Sequence, residues 1–215
     1  MGMPKPEQQS NVLSVGRRIF LRGITRGDAR EFVALNRASG RLHRGWVCPP
    51  RTRGEFALYL ERSRRPDQLC TFICRREDGA ILGAINLGQI VRGAFQNAYV
   101  GYFMGQPFSG KGRMTEALAL ILRFAFRTLK LHRLEANIQP GNVASIALAR
   151  RAGFQEEGFS RRYLKVCGRW RDHERWALLA EDWRAGQHPG RRPEKGQTRK
   201  EHLCEPLREP SRPLR

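Results

Sequence analysis

The chain has 215 residues, 40% of them hydrophobic, and forty Lys and Arg against twenty Asp and Glu give it a formal charge of +20. That length suits one domain with a substantial core and is short for two. The sequence holds no 18-residue apolar run and no basic-then-apolar leader, so neither a spanning helix nor a secretory signal is expected, and the chain reads as cytoplasmic with no membrane partner.

Residues 1–14 are polar, carry Pro4 and Pro6, and read as a loose arm. Arg17 to Ile24 alternates as a strand. Thr25 is placed to cap a helix over about 27–38, with Asp28 in its first turn. A second helix is expected over Gly54 to Ser63. Strands follow over Leu69 to Arg75 and Ile81 to Val91, separated by the turn Glu77-Asp78-Gly79, and again over Gln96 to Met104. Residues 113–129 carry the strongest helical pattern, with Glu116, Arg123, Arg127 and Lys130 near one stripe. A short strand, Arg133 to Ile138, precedes a helix from Asn142 to Ala152 that stops at Gly153. Phe154–Leu164 and Arg169–Leu179 form a hairpin around Cys167-Gly168. The order predicts an α/β (α+β) domain over 15–185, a mixed sheet of about seven strands with helices on both faces. Residues 186–215 hold five prolines and eight basic against four acidic side chains, with few apolar residues to offset ordering; they read as a disordered basic tail.

The charge has two readings: a polyanionic partner such as ribosomal RNA, or simply an Arg-rich soluble surface. Arg outnumbers Lys, which suits contacts with phosphate and carboxylate. Five cysteines, Cys48, Cys70, Cys74, Cys167 and Cys204, are odd in number and irregularly spaced. Cys70 and Cys74 fall on one face of a strand, but no second Cys/His pair has zinc-ligand spacing, so reduced thiols and no metal are expected.

The chemistry concentrates at Ser109-Gly110-Lys111-Gly112-Arg113-Met114-Thr115. A strand, a glycine-containing loop and a helix start place free backbone N–H groups at the positive end of a helix dipole, an arrangement that binds phosphate without side chains. This block resembles the acyl-CoA loop of the GNAT N-acetyltransferases. So does Glu135-Ala136-Asn137-Ile138-Gln139-Pro140-Gly141-Asn142-Val143-Ala144-Ser145, followed by Ala152-Gly153-Phe154. Ile90–Phe95, Tyr102–Gln106 and Gly168–His173 are similar to the RimJ-like branch, ribosomal-protein-alanine N-acetyltransferases, and the likeness covers about 15–183. Ser109 stands where the family usually has Gln or Arg, and Met114 where Gly or Ala is usual.

The resemblance implies an enzyme moving acetyl from acetyl-CoA to an amine: the N-terminal α-amine of a ribosomal protein, with a small amine (aminoglycoside or polyamine) or a ribosome- or RNA-associated role as alternatives. It implies that residues 109–115 hold the pyrophosphate, that a backbone N–H near Phe103–Met104 polarises the thioester carbonyl, that Asn142 contacts the pantetheine arm, and that Ser145 protonates the leaving thiolate. Asn142 and Ser145 also suit plain helix capping. For the base, Glu135 shares a strand face with Asn137, the position where a relative carries Glu; its alternative is an ion pair with Arg133. His173 is the second candidate by its titration range. Glu116 reads as a dipole-complementing residue.

Overall fold

The computed structural model describes residues 11–187. Eight strands form one sheet: β1 (Val12–Val15), β2 (Ile19–Gly23), β3 (Gln68–Arg75), β4 (Ile81–Val91), β5 (Asn97–Met104), β6 (Arg133–Ile138), β7 (Gln155–Val166) and β8 (Arg169–Leu179). Their order is β1-β2-β3-β4-β5-β6-β8-β7, with β5–β6 the parallel joint and every other pairing antiparallel. The helices are α1 (Ala29–Ala38), α2 (Gly40–His43), α3 (Arg53–Arg62), α4 (Arg113–Arg123), α5 (Val143–Arg151) and α6 (Ala180–Gln187).

Alternation along the inner strands explains why helices cover both faces. Ile19, Leu21 and Ile73 enter one apolar cluster with Leu118, Ile121 and Phe126 of the α4 region. The intervening Phe20, Phe72 and Cys74 enter a second cluster with Phe32, Phe56 and Tyr59 of α1 and α3. Strands buried on both faces are largely apolar, as a covered sheet favours, with Arg22 and Thr71 the buried polar side chains of β2 and β3. The expected mixed α/β sheet with helices on both faces is present, with eight strands in place of about seven.

Three expectations change. The last residues of the arm placed over 1–14, Val12 to Ser14, join Val15 in β1 at the sheet edge, where the strand pairs with β2; residues 1–10 lie outside the described part. The reduced-thiol expectation does not hold for Cys48 and Cys167, which form a disulfide with Cα atoms 5.7 Å apart, a normal span for such a bridge. Residues 180–187 form α6, where the sequence reading ended the domain at 185 without a helix; the remainder of the expected tail, 188–215, lies outside the described residues. Cys70 and Cys74 are free and buried. The long helical pattern over 113–129 runs as α4 and then a π turn, Phe124–Thr128. No helix among the described residues is long and apolar enough to cross a membrane.

The start of α1 rests on a buried ion pair. Arg22 on β2, fully buried, donates from both terminal nitrogens to the carboxylate of Asp28 at 2.9 and 2.7 Å, and Asp28 also accepts from the Thr25 N–H at 2.7 Å. A bidentate, charge-assisted contact of this kind fixes the helix against the sheet.

Candidate active site

β5 leads through a single 3₁₀ turn, Gln106–Phe108, into the loop 109–112 and then α4. Gly110 and Gly112 sit at φ +73° and +69°, the left-handed region where side chains are strained. Gly112 caps α4, and the first helical bond runs from the Glu116 N–H to the Gly112 carbonyl at 3.3 Å. The N–H groups of Arg113, Met114 and Thr115 therefore have no acceptor within the helix, and the dipole adds to their positive character. They border a cavity of about 700 Å³. Lys111, Arg113 and Arg151 add cations to its lining, and Nη1 of Arg113 is buried without a hydrogen-bond partner.

The sheet opens beside this cavity. β5 and β6 are paired through Asn97↔Arg133, Ala98↔Leu134 and Tyr99↔Glu135 and then separate, while β6 stays paired with β8 as far as Ile138. On the other side β5 stays with β4. The Gly105 N–H reaches the Leu82 carbonyl at 2.7 Å, so Gly83 and Met104 are a non-bonded pair of the antiparallel ladder. The N–H and C=O of Met104 consequently face away from β4, into the split. The buried His43 of α2 donates Nε2–H to that C=O at 2.9 Å, and its ring meets Phe103 edge-on at 5.2 Å.

Where the strands part, a second, smaller cavity of about 160 Å³ meets the first. Tyr102, Asn142, Ser145, Trp46 and Val47 line both. Asn142 caps α5 by accepting the Ser145 N–H at 3.2 Å, and the Tyr102 hydroxyl donates to the Ser145 carbonyl at 3.4 Å. Burial raises the Tyr102 pKa, so its phenol keeps its proton. Trp46 closes the mouth: its ring packs over Gly141, 3.2 Å from where a Cβ would stand, and the Gly45 carbonyl accepts from Gln139 Nε2 at 2.9 Å.

The smaller cavity carries two polar groups from β6 and β8. Asn137 has a buried Oδ1 with no partner. His173, 3% exposed, places Nδ1 3.0 Å from the Arg171 carbonyl; Nδ1 must donate there, which leaves the lone pair on Nε2. Burial holds the His173 pKa below its ordinary value, with the Arg171 carbonyl and Asp172 opposing that shift, so the ring is a neutral base at physiological pH.

Comparison with known proteins gives the architecture its place. The acetyltransferase (GNAT) domain profile matches residues 18–155. The chain belongs to the GNAT family of acetyltransferases. A Bacillus subtilis relative named "Probable N-acetyltransferase YjcK" is 41% identical over 60% of this chain and 72% of its own. A ribosomal protein uS5-alanine N-acetyltransferase of Escherichia coli is 42% identical over 52% of this chain and 57% of its own, so the match spans little more than half of that relative. Among solved structures, Mycobacterium smegmatis RimJ in complex with CoA-disulfide superposes with a TM-score of 0.71 at 29% identity, covering 80% of this chain and 86% of the other.

As a GNAT acetyltransferase the protein is an acyl-transferring enzyme of a family that uses acetyl-CoA. The larger cavity fits such a molecule: three N–H groups free of the helix ladder, two left-handed glycines and a buried guanidinium nitrogen without a partner all suit a pyrophosphate. Phe103, Met104, Ser109, Gly110, Lys111, Gly112, Arg113, Met114, Thr115, Asn142 and Ser145 all line it. Glu135 lies apart from both cavities of this GNAT site. Its carboxylate accepts from Arg133 Nε at 2.8 Å and from Asn97 Nδ2 at 3.3 Å, and Arg133 also binds Glu157. Glu116 turns to Arg18. The elements sequence reading missed are His43, on a four-residue helix too short to show a period, and Trp46, on a loop; the Tyr102–Phe103–Met104 block was the one available signal that something must engage this strand end.

Proposed function

We propose that the protein acetylates the N-terminal α-amine of a protein, with a ribosomal protein beginning with Ala as the first acceptor to test. The observation that carries this reading is the junction of the two cavities at Tyr102, Asn142 and Ser145, one with a phosphate-binding rim and the other with a neutral imidazole. The name of the Escherichia coli relative, a ribosomal protein uS5-alanine N-acetyltransferase, adds support for the acceptor class.

Acetyl-CoA supplies an acetyl thioester when bound. Residues 109–115 hold its pyrophosphate, and the free N–H of Met104 donates to the thioester oxygen, where negative charge develops. An α-amine has a pKa of about 8, so a sizeable fraction arrives neutral. Asn137 Oδ1 accepts one amine hydrogen and orients the nitrogen. His173 Nε2 takes the proton the nitrogen sheds as the amide forms. Ser145 hands a proton to the departing thiolate and recovers one from solvent as His173 releases the proton it took, with the protonated Tyr102 phenol beside it. His173 thus replaces Glu135 as first choice for the base, because Glu135 is engaged by Arg133 outside the slot.

The test is acetyl-CoA turnover by the full chain with peptides beginning Ala or Ser, beside a panel of free amines including spermidine and an aminoglycoside. Acetylation at the peptide α-amine is expected. Turnover of a free amine with every peptide inert would overturn the acceptor assignment.

A further inference from the structure

On the outer side of the loop that carries Trp46 lies a third cavity, about 1220 Å³, outside the coenzyme site and the acceptor slot. Arg37 of α1, Arg41 of α2, Arg44 and Arg51 of the following loop, and Arg62 of α3 line it. The one carboxylate in its lining, Glu55, is spent on the cap of α3, where Oε2 accepts from the N–H groups of Arg51 at 2.6 Å and Thr52 at 3.0 Å. Among the described residues, none of the five guanidinium groups has a carboxylate within ion-pair distance. Two are positioned by other means: Arg37 Nε donates to the Arg51 carbonyl at 2.7 Å, and Arg62 lies 5.2 Å over the Tyr59 ring. Five like charges around one concavity repel one another, a cost that an anionic occupant removes.

Two observations say what that occupant is. The volume exceeds the roughly 300–1,000 Å³ of small-molecule sites, which favours a stretch of polymer. And Val47 lines this basin, the acceptor slot and the coenzyme cavity alike. A polypeptide with its first residue in the slot, continuing extended at about 3.3 Å per residue, crosses Val47 and enters the basin within a few residues.

We infer that the arginine basin binds carboxylates of the acceptor polypeptide, so that the enzyme favours N-termini followed closely by acidic side chains. This rests on reading the smaller cavity as the acceptor slot. Guanidinium groups match carboxylates in paired geometry, and their exposure makes the contact one of selectivity and encounter.

The experiment uses the full chain with CoA and two fluorescent Ala-headed peptides that differ only in Glu against Gln at alternate positions after the third residue. Anisotropy reads binding, and acetylation reads kcat/KM. The Glu peptide is expected to bind about tenfold more tightly at low ionic strength, with the gap closing in high salt, as exposed charge contacts do. Arg41→Glu with Arg44→Glu, both exposed and neither in the lining of the coenzyme cavity, should bring the Glu peptide down to the Gln peptide and leave CoA affinity unchanged. Equal binding of the two peptides overturns the inference. So does a single-stranded RNA that binds tightly and is lost in the double variant while the peptides are not distinguished, which assigns the basin to nucleic acid. Preferential binding of the Glu peptide without its acetylation upholds the basin and overturns the proposed acceptor; acetylation of both with equal kcat/KM and equal affinity does the reverse.

Discussion

Arg18 braces the 109–112 loop from behind through Glu116. Its Nε lies 3.0 Å from Glu116 Oε2 and its backbone N–H 2.8 Å from Oε1, while its two terminal nitrogens donate to the carbonyls of Lys111 and Gly112 at 3.3 Å each. Burial alone would raise the Glu116 pKa, but the hydrogen bonds from Arg18 outweigh it and hold the carboxylate below its ordinary value. Those contacts fix the two carbonyls away from the cavity and so turn the loop's N–H groups towards it. Arg18→Ala is expected to weaken acetyl-CoA binding about three- to tenfold, with little change in kcat at saturation. Calorimetric titration with CoA, paired with steady-state kinetics, checks it.

Gly112 offers a sharper test of the same loop. At φ +69° a β-branched residue is strained by about 1–2 kcal/mol, and its Cβ would stand 3.3 Å from Arg18 Nη2. Gly112→Val should lower CoA affinity at least about tenfold while the thermal midpoint falls by only a few degrees. Unchanged CoA affinity in a folded variant would remove the loop from the account.

His173 and Glu135 can be separated by pH. The His173 pKa is lowered by burial, so the ring is neutral and competent above it and loses activity as pH falls through it, on the acid side of 6.5. His173→Gln should cut kcat by about 10²–10⁴ at neutral pH and remove that acid limb from the kcat profile. Glu135→Gln should leave kcat within about threefold and keep the limb, its measurable effect being a loss of stability on the order of 1 kcal/mol from the Arg133 contact. The opposite pattern would restore Glu135 as base.

Ser145→Ala should lower kcat more than it raises the KM for acetyl-CoA, since the helix cap uses the Ser145 backbone N–H and not its side chain. Tyr102→Phe, which removes a proton donor at the same junction, should be milder alone and less than additive with Ser145→Ala. Single-turnover measurements on the three variants give the comparison.

The Cys48–Cys167 bridge joins segments 119 residues apart. Cys48→Ser is expected to lower stability by about 2–4 kcal/mol. Chemical denaturation of the variant beside the oxidised parent, with thiol titration to confirm the redox state, measures this.

Much of the frame was legible because its signals are local. Gly110 and Gly112 announce their loop because left-handed backbone selects glycine, and Cys167-Gly168, both at positive φ, turn the β7–β8 hairpin where the pattern of apolar residues breaks. The surroundings of the strand split were not legible, because their contacts join distant segments. His43 meets Met104 across 61 residues, and Trp46 meets Gly141 across a still longer span. Four residues of α2 show no period, and an isolated Trp on a loop carries no local signature. Glu135 is instructive: period-two alternation put it on the face of Asn137, yet the same rule puts Arg133 there too, and the arginine takes its carboxylate.

The parallel β5–β6 joint has an architectural consequence. α4 crosses between those two strands, so the helix whose first turn borders the larger cavity is also the span that connects the two halves of the sheet. Asn137 of β6 and His173 of β8 line the smaller cavity alone, while Trp46, Val47, Tyr102, Asn142 and Ser145 border both. Under the proposed reading, a new recipient is reached most simply through β6 and β8, where a change leaves the lining of the larger cavity intact.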